Sequence, residues 1–190
     1  MNKLGWLRAS CAIGYLAPAR ARPNLAIQAN MFVRRLIIEG RRCTGVEVER
    51  PDGSIEGVSA KLVVLSAGTL LSPWILLRSG IGPRAHLESL SVNVLRDVPG
   101  VGANLSDHPE LCRKFAGLGM HPRGTAKMGP AADPLAVVDA FGCRRSVEQL
   151  VVADASIMPF VPRANTHLTC IMIGEMVGEW LRTSMGRCGL

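Results

Sequence analysis

Four histidines, His86, His108, His121 and His167, are the side chains of this sequence suited to moving a proton near neutral pH. His121 opens the stretch HPRGTAKMG (121–129), a tight loop flanked by glycine and proline that can turn a ring toward a ligand or simply form a turn. His167 lies in NTHLT, where an apolar-periodic segment begins. The first turn of a helix carries unpaired N–H groups and a partial positive charge, so a histidine there adjoins a natural place for an electron-rich or anionic ligand. His108, in NLSDHP, reads as loop, and His86, in a short charged segment, as surface. From the residues alone, each ring is more simply a hydrogen-bonded structural imidazole.

Other chemistries find little support. Cys11, Cys43, Cys112, Cys143, Cys170 and Cys188 form no CxxC pair, so zinc and dithiol redox motifs are absent and no metal site is expected. They read as six free thiols in a reducing, cytoplasmic compartment. Three GxG steps occur, at Gly80, Gly100 and Gly117, and none completes GxGxxG between a strand and a helix. Lys and Arg number 22 against 15 Asp and Glu, a net charge of +7, but the basic residues are scattered and aromatics make up only 4%. That pattern argues against nucleic acid and fits a small anionic ligand such as a cofactor diphosphate.

The elements that must place these residues follow from periodicity. At 190 residues and 48% hydrophobic, the chain can bury a real core. Residues 7–18 suit a helix ended near Pro18, and the stretch ASCAIGYLAPA also loosely fits an export signal. Leu25, Ile27 and Ala29 alternate as in a strand. FVRRLII and CTGVEVE read as antiparallel strands, with PDGS as turn chemistry. KLVVLSAG is apolar on both faces, like a buried parallel strand, and SPWILLRSG is a helix with Pro73 near its start. Between Lys61 and Arg78 the apolar run is broken by Ser-Ala-Gly and Ser-Pro, so no transmembrane segment is expected. IGPRAHLESL suggests a short helix. QLVVADAS is a strand, and NTHLTCIMIGEMVGEWLRT is a helix with Leu168, Ile171, Met172, Met176, Trp180 and Leu181 at helical spacing.

Several of these stretches together resemble the glucose–methanol–choline (GMC) family of FAD-dependent oxidoreductases. They are AGTLLSPWILLRSGIGP, VPGVGANLSDHP, HPRGTAKMG, AVVDAFGCRRSVEQLVVADASIMP and NTHLTCIMIGE, in the family's order. The segment RASCAIGYLAPARARPNLAIQANMFVRRLIIEGRRCTGVEV is similar to the one preceding the first motif, which makes ASCAIGYLAPA an internal helix. The resemblance implies an α/β fold with α+β elements: an incomplete, Rossmann-like FAD-binding domain with a vestigial substrate domain. It divides the chain into part of the FAD-binding domain (1–108), a substrate-domain stub (109–147) and a return to the FAD-binding domain (148–190).

The resemblance further implies that Val33 lies near the FAD adenine and that Asp154 and Ala155 follow the ribityl–pyrophosphate. It places Asn165, Thr166 and Leu168, at the N-terminus of the last helix, at the flavin pyrimidine edge. His121 and His167 match the two positions that flank the flavin face. An alcohol oxidised by hydride loss must also lose its hydroxyl proton, which a neutral imidazole accepts near pH 7. Two rings serving one oxygen should stand roughly 4–8 Å apart. Ala126 stands where the family commonly has Cys, an expected change of packing only. The family's glycine-rich N-terminal third is not in the sequence, and the stretch between His108 and His121 is far shorter than the family's substrate-binding domain. The chain therefore resembles a C-terminal portion with an internal deletion. Two functions follow as expectations. One is oxidation of the CH–OH group of a small-molecule alcohol with a histidine base. The other is a non-catalytic remnant, or one half of a split flavoprotein that needs a missing N-terminal chain, inactive alone.

Overall fold

The computed structural model describes residues 3–4, 6–8, 10–112, 115–118, 121–143, 146–162 and 165–183. The chain divides into two compact units, Met1–Met31 and Phe32–Leu190. In the first, β1 (Lys3–Leu4) and β2 (Leu7–Arg8) pair antiparallel. A π-helical turn over Ala12–Leu16 then runs into α1 (Ala17–Ala19). The helix expected over 7–18 thus begins only at Cys11, and Leu7–Arg8 are extended. No strand forms at Leu25–Ala29, whose residues are all exposed. Alternation specifies a strand only where one face finds a core to bury against.

The second unit opens with an antiparallel meander of β3 (Phe32–Glu39), β4 (Arg42–Glu49) and β5 (Ile55–Ser59). Gly40, at φ +59°, supplies the left-handed residue of the tight β3–β4 turn. The β4–β5 turn is held by Asp52, whose Oδ1 accepts from the Ser54 N–H, and by the Arg50–Ser54 backbone bond.

β6 (Val63–Leu65) leads directly into α2 (Gly68–Arg78). A small β–α–β step follows, with β7 (Ile81–Gly82) parallel to β8 (Arg96–Asp97) across α3 (Arg84–Ser89). A hairpin of β9 (Pro109–Cys112) and β10 (Phe115–Leu118) occupies the short stretch between His108 and His121. From residue 121 to 149 the chain is held by turns and single bridges. β11 (Leu150–Val152) then returns to lie parallel to β6, in the register Leu150–Val63, Val151–Val64, Val152–Leu65. The two stretches read as buried strands are therefore neighbours in one parallel pair, joined by a long crossover. A 3₁₀ turn at Ala155–Ile157 follows, and α4 spans Thr166–Thr183.

The core gathers around this pair. Leu65, Leu76, Ile81, Val137, Val147, Leu150, Val151 and Val152 are buried, as are Ile173 and Val177 of α4. Burying a Val or Leu side chain contributes about 1.5–3 kcal/mol each, so this cluster is the main source of stability. Two details differ from the sequence reading. Pro73 lies inside α2 rather than at its start, with the helix beginning five residues earlier at Gly68. In α4 the core takes Ile173 and Val177, while Leu168, Met172 and Met176 are exposed. The helix is apolar on more than one side, so periodicity alone did not choose the buried one. A third difference concerns sulfur: Cys143 is disulfide-bonded, whereas Cys11 and Cys43 are free thiols. Spacing in sequence does not report which cysteines folding brings together. Among the described residues, no helix is long and apolar enough to cross a membrane, and no His, Cys, Asp and Glu side chains cluster as a metal site.

Candidate functional site

The loop that carries His121 is fixed on three sides. Downstream, it zips onto the turn after β11: the N–H groups of Gly124, Ala126 and Met128 donate to the carbonyls of Ala155, Ser156 and Ile157. This pairing buries Ala126 completely. A small side chain is what the contact holds at the position where the family commonly has Cys. Gly124 sits at φ +86°, and a Cβ there would stand 2.5 Å from the Asn104 carbonyl, so glycine is required. On a second side, α2 reaches the loop through Thr69, whose hydroxyl donates to the Pro122 carbonyl at 2.7 Å. The Thr125 hydroxyl returns a bond to the Thr69 carbonyl.

The third side is ionic. Asp107 Oδ1 accepts the N–H of His108 at 2.7 Å and the N–H of His121 at 3.0 Å. It also lies 3.5 Å from Nη2 of Arg123. Arg123 is wholly buried, and its Nε–H donates to the His121 carbonyl at 3.1 Å. Burial would push the Asp107 carboxyl up. The two backbone N–H groups and the guanidinium outweigh it and hold the carboxyl below the usual range.

These restraints set His121 against two neighbours. Its ring meets that of His108 edge-on, with centroids 6.2 Å apart. Its Nδ1 lies 3.4 Å from the hydroxyl oxygen of Thr166, the first residue of α4. His167 is the next residue of the same turn and is exposed. The loop of the first histidine and the helix start of the second thus meet through Thr166. Asn165 and Leu168 are exposed beside it. The first turn of α4 holds no acidic residue, which leaves its positive end uncompensated within the helix.

The other expected contact residues lie on neighbouring elements. Val33 is in β3, paired with Val48, and packs partly against the core. Asp154 and Ala155 follow β11 at the 3₁₀ turn. The Asp154 carboxylate is already used: Oδ1 accepts from the Ser156 N–H at 2.7 Å, and Oδ2 accepts from the Gly68 N–H at 3.0 Å and from the Ser72 hydroxyl. The strand–turn–helix step β6–α2 therefore has its helix N-terminus filled by the protein's own anion, which would repel a phosphate there. The N-terminus of α4 carries no such anion in its own first turn. The start of α4 is therefore open to an electron-rich group, whereas the Asp154 carboxylate is already occupied. Sequence reasoning missed Thr166 as the neighbour of His121, and it missed Asp107 and Arg123 altogether. The motif strings contained all three, but no periodicity marks a bond between residues so far apart in sequence.

The chain belongs to the GMC oxidoreductase family: the family's N-terminal model matches residues 6–110 and its C-terminal model residues 91–174. The members of that family are FAD-dependent flavoproteins. The chain is 45% identical over 111 residues to an oxygen-dependent choline dehydrogenase of Pseudomonas putida, an alignment covering 57% of this chain and 20% of that protein. It spans about a fifth of the length of the curated relatives it matches. In fold it is similar to a pyridoxine 4-oxidase from Mesorbium loti, with a TM-score of 0.83 at 22% identity, covering 92% of this chain and 62% of the other. It is also similar to a formate oxidase of Aspergillus oryzae studied for modification of its FAD, with a TM-score of 0.78 at 15% identity, covering 86% and 62%.

Proposed function

We propose that this chain supplies the alcohol-facing side of an FAD-dependent oxidoreductase that oxidises the CH–OH group of a small alcohol, with choline as the first substrate to test. The observation that carries the reading is the contact of the His121 ring with the first turn of α4, the turn that also bears His167. FAD, when bound, supplies the hydride acceptor. In this reading His121 accepts the hydroxyl proton as general base, and His167 holds the hydroxyl oxygen. With Nδ1 of His121 turned to Thr166, Nε2 is the ring nitrogen left for the proton. Asn165, Thr166 and Leu168 present the positive end of α4 to the pyrimidine edge, whose charge becomes more negative on reduction. Val33 flanks the adenine, and the backbone of Asp154 and Ala155 follows the ribityl–pyrophosphate.

A second reading is favoured by one observation: Val64 in β6, Leu70 and Leu71 in α2, and Leu168, Met172 and Met176 in α4 are apolar and exposed. Exposed large apolar side chains of this kind are covered where a partner packs on them. They suit a chain that acts only beside a further polypeptide, as one half of a split flavoprotein or as a remnant that has lost its activity.

The test is to add FAD to the 190-residue chain and follow flavin fluorescence, then anaerobic bleaching of the flavin by choline and a panel of primary alcohols. Bleaching that disappears in His121→Asn supports the enzyme. Binding without bleaching, or no binding, supports the second reading.

A further inference from the structure

Arg123 is the largest fully buried side chain of the described residues, and nothing in the proposed proton transfer requires it. A guanidinium out of water is costly unless its hydrogens are used. Here one nitrogen, Nη1, is buried without a hydrogen-bond partner. An apolar side chain of similar volume would fill this space with less penalty, so filling the core does not explain an arginine. What the guanidinium does is specific. Nε–H holds the carbonyl of His121 at 3.1 Å, and Nη2 faces Asp107 Oδ1 at 3.5 Å. The same Oδ1 accepts the His121 N–H at 3.0 Å. Both polar groups of the His121 main chain are therefore held by two side chains that also hold each other.

We propose that the Asp107–Arg123 pair is a positioning device that clamps the main chain of His121 and so fixes its imidazole against the first turn of α4. Its functional meaning rests on the reading of His121 as the alcohol-facing base. A fork is needed because two acceptors must be reached at once from a planar group; the single ammonium of a lysine reaches one or the other. His108, whose N–H shares Asp107 Oδ1, is held by the same carboxylate. Arg123 and Asp107 are positioning residues in this account, not catalytic ones.

The experiment needs neither flavin nor alcohol. Amide hydrogen exchange is measured by NMR on the full chain, alongside a titration of the histidine rings. Arg123→Met should lower protection of the His121 amide by about tenfold or more, the order expected for one lost hydrogen bond. Protection at Leu65 and Val152 should be unchanged. The His121 ring signals should shift while those of the exposed His86 stay in place. Arg123→Lys should fall between wild type and Arg123→Met. Should Arg123→Met not fold, Asp107→Asn carries the test, because it keeps an acceptor oxygen but removes the ion pair, and it should loosen His108 and His121 together. Unchanged protection at His121, or a loss spread equally over Leu65 and Val152, would overturn the proposal. Selective loss of His121 protection in these variants, with no turnover defect in His121→Asn, would uphold the positioning role of the pair and remove only the catalytic role of His121.

Discussion

His121 Nδ1 and Thr166 Oγ1 lie 3.4 Å apart, joining the glycine-flanked loop after β10 to the first turn of α4. The contact selects which ring nitrogen points elsewhere. Thr166→Val keeps the β-branched shape of this buried residue and removes the hydroxyl. It is expected to change stability by less than about 1.5 kcal/mol, the order of one hydrogen bond, while altering the balance of His121 ring tautomers. Nitrogen-15 shifts of the His121 ring measure this directly, and identical shifts in both proteins would show that the contact does not set the tautomer.

Asp154 ties the strand pair to α2. Its two oxygens satisfy two backbone N–H groups and one hydroxyl. Asp154→Ala should cost about 1–3 kcal/mol through lost capping and buried N–H groups left unpaired. The urea midpoint of unfolding reads it. A cost near zero would mean that water takes over these bonds.

Gly124→Ala tests the packing of the loop on Asn104. The added Cβ meets backbone and side-chain atoms of Asn104, and the positive φ disfavours any L side chain. A loss of about 2–4 kcal/mol is expected, with the largest rise in amide exchange between residues 121 and 128. Thermal unfolding at wild-type temperature would contradict the geometry.

Much of this scaffold is legible in the sequence. KLVVLSAG and QLVVADAS were legible as strands because both faces are apolar, and NTHLTCIMIGEMVGEWLRT as a helix because it is long and periodic. The Asp52–Ser54 turn followed from local chemistry. What failed had a tertiary cause. Leu25–Ala29 alternates but has nothing to cover. Met172 and Met176 fall at helical spacing, yet α4 turns Ile173 and Val177 inward. Cys143 met a partner that no spacing rule announces. At the candidate site, the family resemblance is what singles out the two histidines. The residues that hold the first one could not be found that way: Asp107 and Thr166 reach His121 across 14 and 45 positions, and Arg123, two residues from His121, meets Asp107 across 16.

Acid should loosen the chain through carboxylates that are held charged. Asp133 lies low because Lys127 hydrogen-bonds it, and Glu47 because Arg35 does. Asp107 lies low because backbone and guanidinium donors outweigh its burial. A folded-state value below the unfolded one gives stability that is present above the ordinary carboxylate range, about pH 4, and is lost as the pH falls through the lower folded value. Urea midpoints measured between pH 5 and pH 2 should therefore fall with acid, and less steeply in Asp107→Asn and Asp133→Asn. An equal slope in these variants would show that the carboxylates contribute nothing to the acid limb.

In the proposed function, the His121 loop and the start of α4 form one face directed at a flavin. The most direct measurement is titration of the 190-residue chain with FAD, followed by amide and histidine-ring NMR shifts, which report even weak binding. The signals of His121, Thr166, His167 and Leu168 should move together along one binding curve, while those of His86 and Ser89 on α3 should not. Shifts confined to other surfaces, with these four residues unmoved at saturating FAD, would contradict the proposal.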